Sequence, residues 1–287
     1  MTSREEPIAA AFKWACLTEL EAPKPGNVHV FANGHRMTVD EFVTSAAAAA
    51  GPLTLPDASV GARILGAVDA TFDAVGANTN LGIILLCAPL AAAAQLGTSN
   101  LSDALYKVLR SLDVEDTNLA FRAIVKAAPA GLGHSARHDV FGPAMVSLLQ
   151  AMTEAADRDR ISRQYATDFA DIFQLGLPRL EAASRQNADA KWATLMTYLS
   201  FLAEFPDSHI LRKFDARTAE GVRQTAARFQ TSLQAPGSLA QLLPELLAWD
   251  AALKAEGINP GTSADLTVAT LFAQRLRTIL PSARNSD

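Results

Sequence analysis

Apolar positions recur at three- and four-residue intervals along nearly the whole chain, and no stretch alternates β-branched with polar residues over the length of a strand. The pattern predicts an all-α protein, a single multi-helix globular bundle occupying residues 1–287, with no repeat, heptad seam or low-complexity linker to divide it. Residues 7–20 place Ile8, Phe12, Cys16 and Leu20 four apart on one helical face. Thr38 and Glu41 have capping-box spacing ahead of a helix over 39–50, which Gly51-Pro52 should end. A third helix, over 59–75, turns Leu65, Val68 and Phe72 inward. Residues 81–95 are apolar on every side, which assigns that helix to the centre of the bundle.

Further helices are expected over 102–112 and 116–128, and over 143–155 with Pro143 in the first turn. One long helix is expected over 157–173, broken by Gly176-Leu177-Pro178, and others over 178–185, 188–204 and 216–235. Ser238 and Gln241 repeat the capping-box spacing ahead of 238–256. The closing helix starts near Thr262 or Ser263 as cap, with Asp265 at the positive end of its dipole.

Between these helices lie five polar loops, near residues 24–36, 76–82, 131–139, 206–213 and 257–265, which share Asn, Asp, His, Lys, Arg and Gly. Sites in helical bundles form where such loops converge. Each loop also has an ordinary reading. Asn78, Thr79 and Asn80 suit a helix cap, as do Ser263 and Asp265, while Lys24, Arg36, Arg212 and Lys213 suit a solvated surface. The histidines His29, His134, His138 and His209 lack metal-ligand spacing. What favours a site is the start of the central helix, whose backbone N–H groups and neighbouring amides suit an anionic ligand.

Composition narrows the field. A net charge of −5 with no basic tract argues against nucleic acid as partner. The apolar run over 83–94 is too short to cross a bilayer and contains Pro89, so no membrane span is expected. The first seven residues carry Arg4, Glu5 and Glu6 and no apolar leader, which makes the cytosol the expected location. So apolar a helical chain also suits pairing as a homodimer. Cys16 and Cys87 sit in apolar helical stretches and read as buried structural thiols. Phosphate-binding and nucleophile motifs such as Gly-x-x-x-x-Gly-Lys-Ser/Thr, Gly-x-Gly-x-x-Gly, Gly-x-Ser-x-Gly and Cys-x-x-Cys are absent, which disfavours the common nucleotide and hydrolase folds.

The order and wording of the loops resemble the triphosphoribosyl-dephospho-CoA synthase family. Lys24-Pro25-Gly26-Asn27-Val28 is similar to its Lys-Pro-Gly-x-Val segment, and Asn78-Thr79-Asn80-Leu81-Gly82 to its Asn-Thr-His-Lys-Gly motif. Residues 207–213 look like its Asp-Thr/Ser-x-x-x-Arg/His loop, and Pro260-Gly261-Thr262-Ser263-Ala264-Asp265-Leu266 like its Pro-Gly-Gly-Ser-Ala-Asp-Leu close. The ordered set spans about residues 10–280. The resemblance implies an all-α transferase that moves the 5-triphosphoribosyl group of ATP to the ribose 2′-hydroxyl of 3′-dephospho-CoA and releases adenine, in prosthetic-group precursor synthesis.

Carried onto this chain, the resemblance gives the nucleotide to Lys24, Asn27, Arg36, Asn78, Thr79, Asn80, Gly82, Arg212, Lys213 and Ser263. It gives Mg²⁺ to one or more of Asp139, Asp207 and Asp265, and proton transfer to Asp207, His209 and Asp139. Asn80-Leu81 replaces the family's His-Lys, and residues 131–139 read Gly-Leu-Gly-His-Ser-Ala-Arg-His-Asp in place of a Gly-Ala-Arg-Gly-Glu-Ala type stretch. These departures resemble a divergent branch found in archaea and methylotrophic bacteria. There the acceptor would be another cofactor precursor, for instance one of tetrahydromethanopterin biosynthesis. A non-catalytic helical binding protein is a third reading.

Overall fold

In a computed structural model, residues 4–34, 37–128, 140–187, 189–233 and 238–281 are described. Of the site residues expected from sequence, Arg36 and Asp139 lie outside them, as does the loop over 131–139 with His134 and His138. The chain is all-α: among the described residues there is no strand, only isolated bridges between His29 and Ala32 and between Gly34 and Met37.

The helices are α1 (Glu5–Leu20), α2 (Val39–Leu53), α3 (Val60–Val75), α4 (Leu81–Gln95), α5 (Leu101–Ser111), α6 (Val114–Ala127), α7 (Leu148–Ala155) and α8 (Arg160–Ala166). A π-helical segment, Asp171–Gly176, follows. Then come α9 (Leu177–Gln186), α10 (Ala190–Glu204), α11 (Ser208–Lys213), α12 (Ala216–Ser232), α13 (Ser238–Ala255) and α14 (Gly261–Ile279).

The central helix is α4, as its all-round apolar sequence requires: Ile84, Leu86, Cys87, Ala88 and Leu90 are fully buried, and α2, α3, α5, α8 and α14 pack around it. Pro89 in its interior removes the N–H that would have bonded the carbonyl of Leu85. The buried hydroxyl of Tyr165, on α8, donates to that carbonyl at 2.6 Å instead. Phe12 of α1 meets Phe272 of α14 edge-to-face, 5.8 Å between ring centres, which joins the first and last helices across the core.

Six expectations are corrected. Gly176-Leu177-Pro178 is no break: the π-helical segment runs directly into α9, whose first turn accommodates Pro178. Neither Thr262 nor Ser263 caps α14, which starts at Gly261 with Pro260 in the cap position, the Ser263 N–H and hydroxyl being given to Asp207. α2 continues through Gly51-Pro52 to Leu53, because a proline in the last turn sacrifices only one helical bond, at the half-exposed Ala48. α7 begins at Leu148, not Pro143, with Ser147 accepting the N–H of Gln150 in a capping box. The single helix over 157–173 is broken after Ala166, where Asp168 and Phe169 take φ of 53° and 61°. Most of the loop over 206–213 is helical: it forms α11, capped by Asp207.

The described polar loops near residues 24–34, 76–82, 206–213 and 257–265 come back to one end of the bundle. α3 and α6 run in the same direction, with the N–H of Gly61 donating to Asp116 near their starts and Lys126 pairing with Asp69 further along. Gly61 is needed there, since a Cβ would sit 2.6 Å from the Asp116 backbone. The end of α6 thus comes beside the end of α3, where the chain turns into α4.

Candidate active site

Three clusters of buried polar groups hold the loops together. The first closes the end of α1. Pro23 and Pro25 end helical continuation, and the ammonium of Lys24, fully buried, folds back to Glu19 at 2.6 Å. It also donates to the carbonyl of Val28 at 2.7 Å and to Asn27 Oδ1 at 3.3 Å. All three of its donors are therefore used. Burial pushes Lys24 down and Glu19 up, each toward its neutral form, and their short contact opposes both.

The second cluster seats the loop over 24–32 on α13. Asp250 Oδ1 accepts the N–H of Gly26 at 2.8 Å, while Oδ2 faces His29 Nε2 at 3.2 Å and accepts from Lys254 Nζ at 2.9 Å. Lys254 also donates to the carbonyl of Ala32 at 3.1 Å, and Asn27 Nδ2 donates to Asn259 Oδ1 at 2.9 Å. Burial would raise Asp250, but the bonds from His29, Lys254 and Gly26 hold it low. Burial lowers His29, whose enclosed Nδ1 has no partner among the described residues. Gly26, at φ 80°, permits the close approach: a Cβ there would lie 2.7 Å from Pro260. Tyr198, on α10, donates to the carbonyl of Pro25 at 2.7 Å from beneath.

The third cluster joins the starts of α11 and α14. Asp207, fully buried, accepts from the backbone N–H of His209 (2.9 Å) and Ile210 (3.3 Å) through Oδ1. Through Oδ2 it accepts from the N–H and the hydroxyl of Ser263, both at 2.8 Å. Burial raises its pKa and these four bonds lower it. Ser208 Oγ and Thr262 Oγ1 lie 3.0 Å apart beside it, and a Cβ on Gly261 would press on the His209 ring.

Asp265 differs from these groups. One turn into α14, half-exposed, its carboxylate packs against Gly82 at the start of α4, where a Cβ would overlap it. It has no hydrogen-bond donor among the described residues. Burial and then Asp207, Glu19 and Asp159 raise its pKa well above the usual carboxylate range, with Arg212 opposing. Arg212 is itself half-buried and donates to Asp159 at 3.0 Å. Lys213, exposed, donates to the carbonyl of Gly257 at 3.1 Å.

At the start of α4, Asn78 Oδ1 accepts the N–H of Leu81 at 3.1 Å. Thr79 donates to Ser45 of α2 at 2.6 Å, and Asn80 Nδ2 to Thr71 of α3 at 3.2 Å. The amides therefore anchor the turn, and the N–H groups of Gly82 and Ile83 have no acceptor among the described residues.

Of the residues singled out in the sequence, the fold brings Gly82, Asp207, His209, Arg212, Ser263 and Asp265 together. Lys24 and Asn27 are part of the buried support behind them, and their polar groups are spent on protein partners. Asp207 is likewise spent on four protein donors. Glu19, Asp159, Asp250 and Lys254 escaped sequence reading because a charged residue near a helix end resembles solvated surface. The one available signal was the four-residue spacing of Asp250 and Lys254. Among the described residues no group of three His, Cys, Asp or Glu is placed to hold a metal ion, and no helix is long and apolar enough to cross a membrane.

The family model for CitG, ATP:dephospho-CoA triphosphoribosyl transferase, matches residues 5–283. The chain belongs to this family. Its activity is accordingly the transfer of the triphosphoribosyl group of ATP to dephospho-CoA. No curated protein matches the chain. Among solved structures, it is similar to an Archaeoglobus fulgidus protein assigned as a triphosphoribosyl-dephospho-CoA synthase, with a TM-score of 0.62 and 22% identity over 83% of this chain and 99% of that one. At that identity the likeness is one of fold. Asp265, Gly82 and the start of α11 thus meet where α4 and α14 begin.

Proposed function

We propose that the triphosphate of Mg²⁺·ATP lies across the starts of α4 and α14, and that Asp265 is the protein carboxylate that meets its metal. The observation that carries this is Asp265 itself, a carboxylate with no donor, raised in pKa and pressed against the start of the central helix. Such a group is destabilising unless a cation visits it. Mg²⁺ is commonly held by one or two carboxylates together with substrate phosphates, so a single carboxylate fits a metal that arrives with the nucleotide. The unpaired N–H groups of Gly82 and Ile83, with Arg212 and Lys213 at the rim, supply donors for phosphate oxygens.

In the transfer, the acceptor's 2′-hydroxyl oxygen bonds to C1′ of the ATP ribose as the bond to adenine breaks. The hydroxyl proton leaves to a base and the departing adenine gains one. Charge develops on the ribose as in glycoside cleavage, and anionic groups nearby favour it. His209, whose ring lies on Gly261 at the start of α14, is the group we assign as base. Asp207 is assigned to holding α11 and α14 together, since its lone pairs are taken.

The test is adenine release from ATP, Mg²⁺ and dephospho-CoA by Asp265→Asn. The variant should fold, melt higher than the parent and lose at least about tenfold in rate, since a group tuned for function costs stability. Parental rates would remove Asp265 from the site.

A further inference from the structure

A trough of about 600 Å³ runs along α6, away from the three polar clusters, lined by Asn118, Phe121, Arg122, Val125, Lys126 and Phe141. Its chemistry is divided. Phe121 is buried in the floor, while Val125 and Phe141 leave apolar surface open to solvent. Two cations stand one helical turn apart on the same helix face: among the described residues, exposed Arg122 has no partner and Lys126 is engaged only in a surface pair with Asp69 and a contact to the Phe72 ring. Exposed pairs of that kind are worth little and exchange readily for a better anion.

The reaction uses a molecule with matching chemistry. Dephospho-CoA carries, beyond the ribose that reacts, a diphosphate and then a long pantetheine arm that is uncharged, with amides between apolar stretches. Position agrees as well. Lys126 is paired to Asp69, seven residues before Gly76, so the trough begins about 10 Å along the α3 axis from the turn that leads into α4.

We infer that the α6 trough is the acceptor-arm subsite, in which Arg122 and Lys126 take the diphosphate of dephospho-CoA and Phe121, Val125 and Phe141 cover the pantetheine chain. The inference rests on the transferase reading and adds where the acceptor, as opposed to ATP, is recognised. Arg122 suits a diphosphate because its planar fork can bond two oxygens at once. The arm does not react, so its contacts serve ground state and transition state alike and belong in KM.

Steady-state kinetics of the full chain test this, with Arg122→Glu removing the cation and Val125→Glu placing charge on the apolar wall. Each variant should raise KM for dephospho-CoA about tenfold or more while KM for ATP stays at the parental value. Pantetheine 4′-phosphate, which is the arm with one of the two phosphates and no nucleoside, should compete with dephospho-CoA in the parent and fail to compete in the variants. An active parent whose variants keep the parental KM for dephospho-CoA overturns the inference alone, as does a parallel rise in both KM values. A parent that releases no adenine with dephospho-CoA overturns the acceptor itself, and the subsite with it.

Discussion

The carboxylate of Asp265 rests on the α-carbon of Gly82, joining the second turn of one helix to the first turn of another with no room for a methyl group between them. Glycine at position 82 is thus fixed by a neighbour 183 residues away, not by backbone conformation. Gly82→Ala should displace Asp265 and lower adenine release at least about tenfold. The helix itself should gain slightly, since alanine is favoured over glycine there by up to about 1 kcal/mol. A Gly82→Ala protein with unchanged activity would show that the contact has no role in the reaction.

Lys24 is a support, and its removal should be felt in stability before chemistry. Lys24→Met leaves Glu19 buried without its cation, at a cost of about 3–5 kcal/mol. Lys24→Met combined with Glu19→Leu removes both charges and should recover most of that loss. Denaturant unfolding of the single and double variants measures it. A single variant as stable as the parent would contradict the buried pair.

Tyr165 stands in for a missing helical bond. Tyr165→Phe leaves the Leu85 carbonyl without a donor and should destabilise by about 1–3 kcal/mol. Pro89→Ala restores an N–H to that carbonyl, so in that background Tyr165→Phe should cost clearly less. Equal costs in both backgrounds, by thermal or urea unfolding, would show that the two donors do not substitute for each other.

Stability should fall on mild acidification through His29. Burial lowers its folded pKa below the unfolded value of about 6.5, so the folded state favours the neutral ring. The contribution is complete above about pH 6.5 and is lost as pH falls below it toward the folded pKa. Asp250 favours the protonated ring, while Lys254 and Lys24 oppose it. The stability advantage of the parent over His29→Gln should therefore shrink between pH 7 and pH 5. An advantage that grows over that range would reverse the sign.

Local periodicity was enough for most helix positions, because each amphipathic face needs only its own residues. It failed where a helix end depends on a distant partner. The break after Ala166 occurs where Arg110, from α5, grips Asp168. α11 forms because Asp207 can cap it while also holding Ser263, 56 residues later. Lys24 shows the limit for the site. A lysine between two prolines reads as an exposed cation, and only the return of Glu19 and Val28 to its ammonium makes it a buried strut.

By itself the sequence determined the all-α class, the central place of the helix over 81–95, and the ordered polar loops by which the family is recognised. These are properties of spacing and residue type, which are local. The tertiary structure decided which polar groups are already satisfied and which remain available. That depends on partners from distant segments, and it moves the emphasis from Lys24 and Asp207, whose bonding capacity the fold consumes, to Asp265, which the fold packs against Gly82 and leaves without a donor among the described residues.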